Sequence, residues 1–325
     1  MNVLLMLTLI LSLLASGNSF YGQTSSCPCP TRTSVIGHSL SSSSLSAAIT
    51  TRRNLIIGGA SALSFKVVTG AVVYKALTTK PYKTYDELKD SDSYASLESS
   101  ADTEALNLAA SMGPVRQLVL PPLSKDATRI VVVRHGRTYM NRLKICRGTR
   151  IDDEIDPLGK FQAQRTGLAL SGISFDAAYE STLLRSQQTL QIISPATSKS
   201  KSNTATNLLN EVDYGELEGL QNVKPICSAP FGEHFGGETV PNLNKRADDA
   251  LALMLKGNEG KTVLAVSHGA FITTLLRRIA KEEGGDSEAD NFLFLKNCSI
   301  NVIDVDSKTG KATIKLVNSY DHLST

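Results

Sequence analysis

The chain is 325 residues long, 41% hydrophobic and +3 in formal charge, which supports a proper core in one large domain or two modest ones. The first 85 residues carry seven basic side chains and no acid, so the rest holds 27 basic against 31 acidic residues, a net −4, and lacks the basic face of a general nucleic-acid binder. Five irregularly placed cysteines (Cys27, Cys29, Cys146, Cys227 and Cys298) exclude a disulfide framework or a zinc site, and the last three are expected to stand alone as small, semi-buried residues.

In chain order, "MNVLLMLTLILSLLASGNSF" is an apolar run closing in small residues, the pattern of a secretory signal. Residues 21–53 are rich in Ser and Thr and free of acid, as organelle transit segments are. "TTRRNLIIGGASALSFKVV" then joins Arg52 and Arg53 to an apolar stretch, similar to a twin-arginine export signal. Three addresses in series resemble the leaders of plastid proteins in algae whose plastids have extra membranes, with a final thylakoid step. The alternative is a secreted or endomembrane protein in which residues 67–77 remain as an anchor, a membrane tether through residues 55–77. Lys66 and Lys75 interrupt that stretch, leaving far fewer than the ~20 apolar residues a span needs. The expected division is residues 1–85 as a targeting leader, 86–125 as a linker or loosely helical arm ending in "LPPLSKD", and 126–325 as the main domain.

From Arg129 onward strands alternate with helices. "IVVV" and "TVLAV" are short continuous apolar runs, as in strands covered on both faces of a parallel sheet. Asp156 followed by Pro157 marks a helix start, with the helix running to about residue 171. "DAAYES" reads as a strand that delivers Ser181 and Thr182 to cap a helix reaching Ile193. Ala247, Ala250, Leu251 and Met254 recur at helical spacing, as do Phe271, Leu275 and Ile279. The end of the chain reads as two strands with a turn at Thr309 and Gly310. This order predicts a three-layer α/β/α sandwich with a mostly parallel central sheet. Ligands of such sheets sit beyond the carboxyl ends of the strands, where Arg134, His135 and His268 all fall.

Those residue types suit phosphoryl chemistry. A dianionic phosphoryl group needs donors for three peripheral oxygens, and a guanidinium supplies two parallel hydrogen bonds without losing its proton. Arg134 is one candidate clamp and Arg185, in "STLLRSQQT", a second. A neutral imidazole among such cations keeps its lone pair and can attack phosphorus, and the departing alcohol then takes a proton from an acid.

"RHGRTYMN" resembles the RHGxTxxN signature of the histidine phosphatase superfamily. "STLLRSQQT" is similar to the segment of the second phosphate-binding arginine, "LNEVDYGELEG" to that of the proton donor, "FGGETV" to a GGE turn and "AVSHGAFI" to the second histidine. The resemblance spans residues 129–323 and makes residues 126–325 a histidine phosphatase-like catalytic domain with the phosphoglycerate mutase-like fold. It implies His135 as nucleophile, with Arg134, Arg185, His268 and Asn141 around the phosphoryl group and Glu211 as general acid and then base. Asp213, Glu216 and Glu218 lie close enough in sequence to compete for that last role. Arg137, Thr138, Arg147 and Gly148 are implied as further substrate-binding positions, while His234 and His322 read as structural or peripheral. No cofactor or metal is implied, and the substrate would be a small phosphate ester or a phosphopeptide.

Two departures bear on activity. Only 26 residues separate Glu211 from Glu238, too few for the long covering insertion of true mutases, so water reaches the phosphohistidine and hydrolysis is favoured over phosphoglycerate mutase-type transfer. The family's usual QG pair reads Arg147–Gly148, which would add positive charge at the mouth. A catalytically idle phosphate-binding scaffold is the reading from outside enzymology.

Overall fold

The structure, a computed structural model, describes residues 55–57, 61–68, 71–78, 92–195, 203–220, 232–282 and 295–324. The signal-like and transit-like segments lie outside the described residues. Strands β1 (Leu55–Ile57), β2 (Ser61–Val68) and β3 (Ala71–Thr78) form an antiparallel sheet in that order. The stretch expected as an alternative anchor thus falls on β2 and β3, and among the described residues no helix is long and apolar enough to cross a membrane.

Helix α1 (Asp92–Ser111) has no apolar stripe, and polar contacts hold it to the domain. Glu104 receives both terminal nitrogens of Arg137 at 3.0 and 2.9 Å, and Arg142 donates to Leu97 O and Ser100 Oγ. The chain beyond it docks as well: Leu118 N donates to Ala169 O at 2.7 Å, and Val115, Leu118 and Leu120 pack on the sheet's apolar layer. The segment expected as a linker or loosely helical arm is a helix followed by a strap whose apolar residues share the domain core.

The main sheet is organised on β4 (Ala127–Arg134), buried from Ala127 through Val133. After it come α2 (Tyr139–Leu143), α3 (Pro157–Leu170), β5 (Ala177–Ser181), α4 (Leu184–Ile193), β6 (Asn203–Thr206), α5 (Val240–Leu255), β7 (Thr262–Ser267), α6 (Gly269–Glu282), β8 (Ile300–Asp306) and β9 (Ala312–Ser319). The strand order is β6-β5-β7-β4-β8-β9, with β4 to β7 mutually parallel and β8–β9 an antiparallel hairpin at one edge. Side chains alternate faces along a strand. Ile130 and Val132 accordingly pack with Ala247, Met254, Phe271 and Leu275 of α5 and α6, and Val131 and Val133 with Leu170, Leu190 and Ile193 of α3 and α4. The predicted three layers and mostly parallel sheet are found.

Local signals acted as expected at α3, where Asp156 accepts from Gly159 N at 2.7 Å and Pro157 opens the helix. They failed at α4. Its N-cap residue is Leu183, without a side-chain cap, and the free amide of Leu184 is met at 2.7 Å by the carboxylate of Asp152. Ser181 and Thr182 turn instead to Asn210 Oδ1. A distant carboxylate displaced the local hydroxyls because it brings a full negative charge to the helix N-terminus. Cys146 also corrects the expectation that it stands alone: it is disulfide-bonded, while Cys298 is free and buried. Such pairing depends on tertiary approach, which spacing does not reveal.

Candidate active site

Two parallel neighbours set the site. Arg134, the last residue of β4, pairs in register with Ser267, the last of β7, and His135 N donates to Ser267 O at 2.9 Å. The next residues, His135 and His268, therefore leave adjacent strand ends side by side, with ring centroids 5.1 Å apart and planes tilted by 51°. Both are buried. The turn after His135 passes tightly over the start of α3: a Cβ on Gly136 would stand 2.7 Å from Gly159 O, and one on Gly159 would stand 2.1 Å from Arg137 O. Facing glycines are what permit that approach.

Hydrogen bonds fix both tautomers. His135 Nδ1 lies 2.7 Å from Gly136 O, which can only accept, so the proton is on Nδ1 and the lone pair on Nε2. His268 Nδ1 accepts from Arg185 Nε at 3.2 Å, and its Nε2 donates to Ser181 Oγ at 2.7 Å, which in turn donates to Asn210 Oδ1. Burial holds both imidazoles well below the usual histidine range. Nearby guanidiniums reinforce it, Arg147 and Arg134 first around His135, and Arg185 and Arg147 first around His268.

Three arginines surround the rings. Arg185, fully buried on the first turn of α4, is held by Asp152 at 3.2 Å and Gly148 O at 3.0 Å, and burial lowers its pKa to about 10. Arg134 donates to Leu295 O while its Nε is buried without a partner, and burial lowers it likewise to about 10. Arg147 donates to Thr138 Oγ1, to Asp153 Oδ1 and, at 3.0 Å, to Asn141 Oδ1. It is 7% exposed, so the expected extra charge at the mouth is not there; the guanidinium is internal and paired.

Of the four acids in "LNEVDYGELEG", Glu211 is the one turned to this cluster. Its carboxylate accepts from the Val212 amide at 3.0 Å and from the Phe271 and Ala270 amides at the start of α6 at 3.1 and 3.3 Å, and it is the foremost charge acting on Arg134. Asp213 is committed to Arg150 and Glu218 to the amides of Tyr214, Arg150 and Ile151, while Glu216 is exposed. The GGE turn works at one remove: Glu238 pairs with Arg246, which donates to the carbonyls of Leu208, Asn210 and Glu211.

Thr138, Asn141, Arg147 and Gly148 thus join the cluster, whereas Arg137 is directed to Asp156 and to Glu104 of α1. His322 is structural: buried against Thr166 and Cys298 O, its pKa is lowered by burial to about 4. Sequence reasoning missed Ser181, Asn210, Asp152, Asp153 and Asn297. Ser181 carried the same signal as the histidines, the last position of a strand, and the acids stand in the run "DDEID" just after Arg147.

Comparison with known proteins agrees with this geometry. Residues 130–319 match the family model of the histidine phosphatase superfamily (branch 1). Over 204 residues, 61% of this chain, the sequence is 30% identical to the uncharacterized phosphatase PhoE of Bacillus subtilis and covers 97% of it. It is 40% identical over 177 residues, 47% of this chain, to a 2,3-bisphosphoglycerate-dependent phosphoglycerate mutase of Azorhizobium caulinodans, covering 83% of that protein. The crystal structure of phosphoglycerate mutase from Bacillus anthracis shares the fold, with a TM-score of 0.52 at 21% identity over 62% of this chain and 97% of that one.

Buried neutral histidines make stability fall with pH. Above about 6.5 the folded and unfolded chains bind the same protons at these rings; below it the unfolded chain takes up protons that the folded site refuses. Each such histidine should remove about 1.4 kcal/mol of stability per pH unit on acidification until its folded pKa is reached. Replacing His135→Asn, which keeps a donor for Gly136 O, should make that decline shallower by about this slope in urea unfolding between roughly pH 6 and 5. Equal slopes would contradict the neutral assignment of His135.

Proposed function

Because the chain belongs to branch 1 of the histidine phosphatase superfamily, we propose that it hydrolyses phosphate monoesters through a phosphohistidine formed on His135. The observation that carries this reading is the pair of facing imidazoles, with the Nε2 lone pair of His135 free and a buried Arg134 Nε lacking an acceptor. A phosphoryl oxygen is the acceptor that Nε lacks.

The phosphoryl dianion enters among Arg134, Arg185 and the amide of Asn141. His135 Nε2 attacks phosphorus, the P–O bond to the ester oxygen breaks with its electron pair going to that oxygen, and protonated Glu211 supplies the proton that releases the alcohol. Water then attacks the phosphohistidine and gives a proton to the Glu211 carboxylate. The P–N bond breaks, inorganic phosphate leaves and His135 returns to its neutral form. His268 serves the phosphoryl group through its neighbour: its Nδ1 takes the Arg185 Nε–H and its Nε2 donates to Ser181 Oγ, which holds the Arg185 fork in place for the phosphoryl oxygens.

Phosphatases and mutases both stand among the relatives, and the short interval from Glu211 to Glu238 favours transfer to water. The substrate is a small phosphorylated molecule, with a phosphopeptide as the larger alternative. The leader composition supports delivery to a plastid, and a fluorescent fusion of residues 1–85 reads this directly: accumulation in the secretory pathway would reject it.

The full chain should release phosphate from an aryl phosphate, with His135→Ala slower by about a thousandfold or more. Glu211→Gln should harm an alkyl phosphate far more than the aryl one, because only the poorer leaving group needs the proton. Equal rates for wild type and His135→Ala would reject the reading. Conversion of 3-phosphoglycerate that depends on added bisphosphoglycerate, outpacing hydrolysis, would favour the mutase.

A further inference from the structure

Arg147 is the cation of the site that the proposed mechanism leaves without a task. The residue before it is pinned, since Cys146 N donates to Leu220 O and Gly219 N to Cys146 O, each at 2.8 Å. Gly148 next to it lies so close to the Glu211 segment that a Cβ would stand 1.9 Å from Val212 O. The side chain is thereby sent inward, where one terminal nitrogen meets Thr138 Oγ1 and Asp153 Oδ1 and the other meets Asn141 Oδ1 at 3.0 Å.

The consequence falls on Asn141. A carboxamide presents an acceptor or a donor end according to what holds it. Here Oδ1 receives two donors, Arg147 and, at 3.2 Å, Asn297 Nδ2, which also donates to His135 O at 3.0 Å. With both lone pairs of Oδ1 taken, the amide can only donate elsewhere, which is what an anionic oxygen requires. The reversed amide would set NH2 against guanidinium and against another NH2. Thr138 is held by the same fork, and its hydroxyl caps α2, the helix that carries Asn141.

We propose that Arg147 is a positioning residue for phosphoryl transfer: its fork, anchored by Asp153, locks the carboxamide of Asn141 and the hydroxyl of Thr138 so that the Asn141 NH2 group donates to the phosphoryl group on His135. The inference rests on the phosphatase reading and adds a residue to it. A lysine cannot replace the fork, because one ammonium does not reach three acceptors in fixed directions. Arg147 is also the foremost of the charges that oppose protonation of His135, ahead of Arg134 and Arg185, with the neutral His268 ring alongside and Asp152, Asp153 and Glu211 the acids nearby.

The test uses the full chain as wild type, Arg147→Met, Arg147→Lys, Asn141→Ala and the double variant Asn141→Ala with Arg147→Met. The readout is aryl phosphate turnover across the acid and neutral range. Arg147→Met should lose about 10- to 100-fold in kcat/KM, and the double variant should be within about threefold of the worse single one, because the two residues act as a unit. The acid limb of kcat/KM should move to higher pH in Arg147→Met and return in Arg147→Lys, whose turnover stays low. Multiplicative losses with an unmoved acid limb would overturn the proposal. Should Arg147→Met not fold, Arg147→Met with Asp153→Leu replaces the buried pair by apolar residues, a change folds often tolerate, and the same loss is expected. Should wild type match His135→Ala, the phosphatase reading fails and orthovanadate binding becomes the readout. Weakening of about tenfold by Arg147→Met, not compounded by Asn141→Ala, then supports the positioning role, and unchanged affinity overturns it.

Discussion

Two buried guanidiniums and a third, half-buried one with its Nε inside, packed around two imidazoles, form a site that is electrostatically incomplete without an anion. Unit charges 5 Å apart repel by about 3 kcal/mol at an effective dielectric of 20, and burial strips away the water that would soften it. The protein answers with carboxylates for two of the three: Asp152 faces Arg185 and Asp153 faces Arg147. Arg134 has a carbonyl and an Nε with no partner. Burial, reinforced by the same field, keeps both histidines neutral, which turns a charge problem into a nucleophile.

Much of the surrounding fold serves to hold that arrangement against its own repulsion. The β4–β7 register brings the two strand ends level, and the start of α6 directly after His268 gives Glu211 amides to rest on. Arg246 and Glu238 brace the Glu211 segment from behind. On the outside, Glu104 of α1 and Asp156 neutralise Arg137, so the positive charge beside the RHG turn is compensated before it adds to the cluster.

What the sequence made legible was whatever acts locally or repeats. The runs around Val131 and Leu264 declared buried strands, Asp156–Pro157 declared a helix start, and two strand-end histidines declared a shared crevice. What stayed hidden depends on groups that meet only after folding. Asp152 caps α4 from 32 positions away, and Arg147 looks like a surface charge until Asp153, Thr138 and Asn141 close around it. The arm before the domain showed no stripe to betray its docking, because its helix is held by ion pairs and its strap by three scattered apolar residues. Cys146 gave no spacing signal for its disulfide.

The central claim is that the incoming phosphoryl group is taken by one nitrogen, Nε2 of His135. Rapid mixing of the full chain with a radiolabelled phosphate ester, followed by alkaline quench and peptide mapping, tests it most directly. The account predicts label that survives alkali, is lost in acid and maps to His135. Turnover with label on a serine, threonine or carboxylate, or on His268 instead, would contradict it.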